Sequence, residues 1–161
     1  MYRLEAVIGH ELVLRELASS IPEPHIHGLR QELSLLPMTW EYFRAVTVVD
    51  TPKRLDGFWT APDSFGSALA ACSANGPVAY VEADYIGGQG AQVAQVWAGG
   101  RVVFGPVCHG TTKPVPAAGS AISQALRHLG VVLDRRYGHD EFDTVGLGRR
   151  RETEKWLPGG R

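Results

Sequence analysis

The stretch PVAYVEADYIGGQGAQVAQVWAGGRVVF, residues 77–104, decides the fold. Runs of Val, Ala, Tyr, Ile and Trp are broken by Gly87-Gly88-Gln89-Gly90 and by Gly99-Gly100. Glycine pairs supply the positive φ angles that tight hairpins demand, so the stretch predicts a three-stranded antiparallel meander over 78–86, 91–98 and 101–105. With Gly87–Gly90 as a four-residue loop, Ile86 faces Ala91, Asp84 faces Val93, Glu82 faces Gln95 and Tyr80 faces Trp97. With Gly99-Gly100 as a type I′ turn, Trp97 faces Val102 and Gln95 faces Phe104. One sheet face then carries Tyr80, Glu82, Asp84, Val93, Gln95, Trp97, Val102 and Phe104. The other carries Val81, Ala83, Tyr85, Gln92, Ala94, Val96 and Val103, and its apolar middle is expected to pack on helices.

Outward from the meander, Tyr2–Gly9 alternates as a strand, with Leu4, Ala6 and Ile8 on one face and Arg3, Glu5 and Val7 on the other. Residues 10–20 read as a helix stopped by Ile21-Pro22. Residues 24–37 alternate like an extended strand. Thr39 is the expected N-cap of a helix carrying Trp40 and Phe43. Residues 50–64 form a loop holding Phe58 and Trp59, and Asp63 or Ser64 caps a helix running to Ser73. Residues 107–119 read as a long connection. Ser120 caps a helix whose Ile122, Ala125, Leu126 and Leu129 form an apolar stripe. A short polar helix is expected over 149–156. The result is one α+β domain, residues 1–161, with a central meander packed against helices.

Composition narrows the function classes. The chain has 161 residues, 44% hydrophobic and 20% charged, with a formal net charge of -1. That balance disfavours nucleic acid as a partner. Two cysteines, Cys72 and Cys108, are too few for a disulfide framework and fit a reducing cytoplasm. Charges interrupt the N-terminal apolar stretch, so no signal peptide is expected, and no apolar run approaches the roughly 20 residues that span a bilayer.

The polar groups of the meander make the candidate site. Glu82 and Asp84, at i and i+2 on a strand, hold their β-carbons about 7 Å apart. Such a pair suits a metal ion or an acid/base couple, and suits equally a hydrogen-bonded strand face. The Gly87-Gly88-Gln89-Gly90 loop lacks the Lys-Ser/Thr of a phosphate-binding loop and reads as a hairpin. His25 and His27 share a strand face without the spacing of a zinc site. Cys108-His109 offers a thiol beside an imidazole. Arg149–Arg151 is a short basic run beside Asp140 and Asp143. Phe58-Trp59 serves either as a partner anchor or as a part of the core. No catalytic motif is assembled, and no cofactor or resident metal is expected.

The segments YVEADYIGGQGAQ (80–92), AISQALRHLG (121–130) and DEFDTVGLGR (140–149) resemble a family of small, uncharacterised bacterial proteins. Some of its members resemble immunity proteins that neutralise a toxin. The resemblance implies a non-enzymatic protein-binding module of the bacterial cytoplasm that works by occluding its partner, and it carries over no catalytic residue. The expected contact surface is Tyr80, Glu82, Asp84, Gly87, Gly88, Gln89, Gly90, Gln95 and Trp97. The rival expectation is a small enzyme, or a ligand- or metal-binding protein, using the Glu82/Asp84 face.

Overall fold

In a computed structural model, residues 1–48 and 52–160 are described; Asp50 and Thr51, the start of the expected 50–64 loop, lie outside them. Six strands form one antiparallel sheet: β1 (Tyr2–Gly9), β2 (His27–Gly28), β3 (Ser34–Pro37), β4 (Val78–Ile86), β5 (Gln89–Ala98) and β6 (Arg101–Gly110). Their order across the sheet is β2-β3-β1-β4-β5-β6. Five α-helices accompany them among the described residues: α1 (Glu11–Leu17), α2 (Trp40–Val46), α3 (Phe65–Cys72), α4 (Ala121–His128) and α5 (Glu141–Val145). The chain is therefore α+β, but the meander is not central: β4-β5-β6 make one half of the sheet and end it at the edge strand β6. No helix among the described residues is long and apolar enough to cross a membrane.

The sheet is covered on both faces. Leu4, Ala6, Ile8, Val81, Ala83, Ala94 and Val96 meet the Ile122/Ala125/Leu126 stripe of α4, with Val145, Leu147 and Trp156 closing that core. Val7, Val78, Tyr80, Val93 and Trp97 meet Leu14, Phe43, Phe65 and Leu69 on the opposite side. This second core corrects the expectation of an open, mixed face: Tyr80 and Trp97 are buried there rather than offered to a partner. Three phenylalanines require it. The rings of Phe43, Phe58 and Phe65 lie 6.2, 4.9 and 5.2 Å from the ring of Tyr80, and an aromatic cluster of that size stays dry.

The β4–β5 register also differs from the expected one. Gly87 and Gly88 alone make the turn, with φ of 61° and 78°, and Gln89 already belongs to β5. Tyr80 thus pairs with Gln95, Glu82 with Val93 and Asp84 with Ala91. A two-residue turn matches the twist of the strands, and the glycine pair meets its demand without Gln89 and Gly90. The slip is two residues, an even number, so every side chain keeps its expected face. Gly90 serves another end: a Cβ there would run into the main chain of Asp84 and Tyr85.

β6 runs past its expected end at 105 to Gly110, which shortens the long connection. Its pairing with β5 slips twice, between Ala94 and Val96 and between Val96 and Trp97. These slips turn Phe104 onto the α4 side, against the ring of His128 at 4.6 Å, rather than beside Trp97. The expected strand over 24–37 is two short strands around a turn at Gln31 and Glu32. The expected 149–156 helix is replaced by single helical turns at 147–149 and 153–156. Between them the Arg151 carbonyl accepts from the Arg3 N–H at 2.7 Å, which draws the chain out along β1.

Local signals elsewhere act as their chemistry requires. Thr39 caps α2 by accepting from the Tyr42 N–H, and Ser120 caps α4 by accepting from the Ser123 N–H. Leu126 is fully buried, whereas Leu12 on α1 is 81% exposed. Leu126→Ala is therefore expected to lower stability by ~2–5 kcal/mol, and Leu12→Ala by no more than ~0.5 kcal/mol, as read from urea unfolding midpoints.

Candidate functional site

β4 delivers Glu82 to the middle of the aromatic core, where it is 1% exposed. Burial on this scale requires donors. The chain supplies them from the loop before α3, whose backbone folds over the carboxylate. The Trp59 N–H donates to Oε2 at 2.7 Å, and the Ala61 N–H to Oε1 at 2.9 Å. The Thr60 N–H donates to both oxygens at 3.1 Å. The Tyr80 hydroxyl donates to Oε1 at 2.8 Å. Burial of Tyr80 beside this acidic group holds its own ionisation well above the ordinary tyrosine range.

The directly opposed residue on β1 is Glu5, also buried. Its carboxylate accepts from Thr153 Oγ1 at 2.6 Å and from Arg3 Nε at 3.0 Å. Hydrogen bonding and charge from Glu5 raise the Arg3 guanidinium further, with a smaller contribution from Asp84 across the strands. Both buried glutamates are thus fastenings, one for the 59–61 loop and one for the C-terminal segment.

Above them lies a cleft of about 300 Å³, lined by Arg3, Trp59, Thr60, Asp84 and Gly90 among others. Phe58 turns into the core and Trp59 turns out, 46% exposed at the cleft. Asp84 is exposed on the same rim. Ile86, 67% exposed, and the Gly87-Gly88 turn continue the surface to the hairpin tip.

The expected contact set therefore divides. Asp84, Gly87, Gly88, Gln89 and Gly90 form an accessible group. Tyr80, Glu82, Gln95 and Trp97 are interior, and Gln95 keeps a buried Oε1 with no hydrogen-bond partner. The two carboxylates of the Glu82/Asp84 pair stand in different environments, Glu82 saturated with donors and Asp84 facing solvent. Among the described residues no group of three or more His, Cys, Asp or Glu is placed to hold a metal ion.

Other candidates separate as well. The rings of His25 and His27 stand 6.1 Å apart. Burial, followed by His25, Arg150 and Arg149, holds His27 below the ordinary histidine range, an environment that opposes a cation. Cys108 is exposed and points away from His109, since adjacent strand residues face opposite sides. Arg149–Arg151 line a shallow depression together with Glu152 and Lys155. The sequence leaves Phe58-Trp59 open as a partner anchor or a part of the core, and the pair divides: Phe58 is buried and Trp59 exposed, since nothing local in a Pro/Gly loop says which ring turns inward.

Glu82→Ala is expected to destabilise the fold by about 3 kcal/mol or more, since each buried donor left without a partner costs ~1–3 kcal/mol. Glu82→Gln, which keeps one acceptor oxygen but turns an amide against N–H donors, should fall between. Hydrogen exchange should show the amides of Trp59, Thr60 and Ala61 losing protection first. Millimolar divalent metal should leave the wild-type thermal midpoint unchanged.

No family model matches the chain, and neither a curated protein nor a solved structure does.

Proposed function

We propose that the chain is a non-enzymatic protein-binding module of the bacterial cytoplasm, of the immunity type, acting by steric occlusion of a toxin or similar protein partner. The observation that carries this reading is the exposed Trp59 on a backbone pinned by Glu82. Aromatic side chains dominate interface energetics, and an anchor held rigid before contact loses little entropy on binding. Trp59 shares its cleft with Arg3, Asp84 and Gly90, so an apolar centre sits within a rim of mixed charge. That is the common anatomy of a protein–protein contact. The buried acids are committed to the fold, which leaves recognition rather than bond chemistry at this surface.

The test is co-expression with the product of the adjacent gene, followed by affinity measurement and a toxicity rescue assay. Trp59→Ala should weaken the complex by at least about thirtyfold, the scale of a hot spot. Asp84→Arg should weaken it mainly through the association rate. Both variants should keep the wild-type thermal midpoint. A complex indifferent to Trp59 and Asp84, or turnover of a small substrate by the isolated protein, would overturn the reading.

A further inference from the structure

On the opposite side of the sheet from Trp59, a second cavity of about 400 Å³ opens beside the N-terminal ends of α4 and α5. Tyr2, Tyr85, Gln92, His109, Asp140 and Phe142 line it. The sheet end and the helices reach it by separate routes. The register slips of β6 set His109 opposite Gln92, whereas an unbroken register would carry it opposite Gly90. Bulges next to sites re-aim side chains in this way.

The polar groups of the cavity are unevenly satisfied. Gln92 is spoken for: its amide donates to the Tyr85 hydroxyl at 3.0 Å and its carbonyl accepts from the Ile122 N–H at 2.8 Å. The Tyr85 hydroxyl accepts that bond and gives its own proton to no acceptor among the described residues. His109 is the outlier, because both of its ring nitrogens are buried and neither has a hydrogen-bond partner. An imidazole always carries at least one donor, and buried polar side chains are rarely left unmatched. Asp140 uses Oδ1 to cap α5 through the Asp143 N–H at 2.9 Å, and Oδ2 is uncommitted.

Charge selects among ligands. Among the described residues no Lys or Arg lines the cavity, and Asp140 is its one carboxylate. Burial, with Asp143 and Glu141 nearby, raises the Asp140 carboxyl above its usual range, although the Asp143 N–H bond and His139 oppose that shift. The rings of Tyr2 and Phe142 meet edge to face at 5.5 Å beside it. Aromatic faces beside an acid favour an organic cation. Ser120 also lines the cavity, but its Oγ accepts the capping bond from the Ser123 N–H, and neither His109 nitrogen reaches it or Asp140. The trio is not an assembled nucleophile.

We propose that this cavity binds a small organic amine with an apolar body and a second polar group, the ammonium meeting Asp140 among the aromatic rings and the polar group meeting the Tyr85 hydroxyl, with the His109 ring, whose nitrogens are closed to solvent, turning to meet it. This goes beyond the protein-contact reading and uses none of its residues. Tyramine is a matched probe, with 3-(4-hydroxyphenyl)propionate as its anionic analogue and 4-ethylphenol as its neutral one. By NMR titration, tyramine should shift the resonances of Tyr85, His109 and Phe142 and bind at least tenfold tighter than either analogue.

Asp140→Asn preserves the cap, since Asn caps as well as Asp. It should weaken tyramine about tenfold and leave 4-ethylphenol unchanged. His109→Leu should weaken tyramine and 4-ethylphenol alike at least fivefold while the thermal midpoint stays level or rises, because an unmatched buried ring leaves. No tyramine binding at millimolar concentration, equal binding of the propionate, or a thermal midpoint lowered by His109→Leu would each overturn the proposal.

Discussion

A carboxylate removed from water has to be met by donors, and at Glu82 the donors come from a distant piece of backbone. That single demand fixes much of the second core. The 59–61 backbone must lie across β4, which sends Phe58 down onto Tyr80 and leaves Trp59 above. Tyr80 in turn donates to the same carboxylate, so the one hydroxyl in that aromatic cluster is satisfied without solvent. The polar knot and the apolar cluster support each other. Hydrogen bonds to a carboxylate shielded from water are stronger than those exposed to it, and the rings that do the shielding are held by the loop the carboxylate recruits.

Glu5 repeats the device one strand over. Its carboxylate and its N–H both engage Thr153, tying the last segment of the chain to the first strand. Trp156, 1% exposed, then seats on the α4 side of the sheet. Two directly opposed acids thus fasten two loops of different origin, one from the middle of the chain and one from its end. This arrangement explains why a sheet with carboxylates on its face can still be covered on both sides.

The meander, the Gly99-Gly100 turn, the Thr39 and Ser120 caps and the α4 stripe were legible because each rests on local chemistry. Glycine pairs, hydroxyl caps and helical spacing act within a few residues of themselves. What escaped was set at long range. Nothing in YVEAD announces that the glutamate will be roofed by residues some twenty positions earlier, so an acid on an apolar strand read as a surface group. The hairpin register failed for a smaller reason: four consecutive turn-forming residues do not say which two make the turn. His109 went unrecognised as a cavity residue because its placement depends on two slips between β5 and β6, and only the Gly105-Pro106 dipeptide hinted at irregularity there.

Those slips have a further consequence for a strand at the margin of the sheet. β6 spans ten residues and exposes Val102 and Val103, a stretch that if straight would invite another chain to add to it. The extra residues on its side of the ladder bend it out of the plane that an incoming strand would need. The same irregularity that rotates side chains toward α4 therefore works against a second chain pairing along this long β-edge.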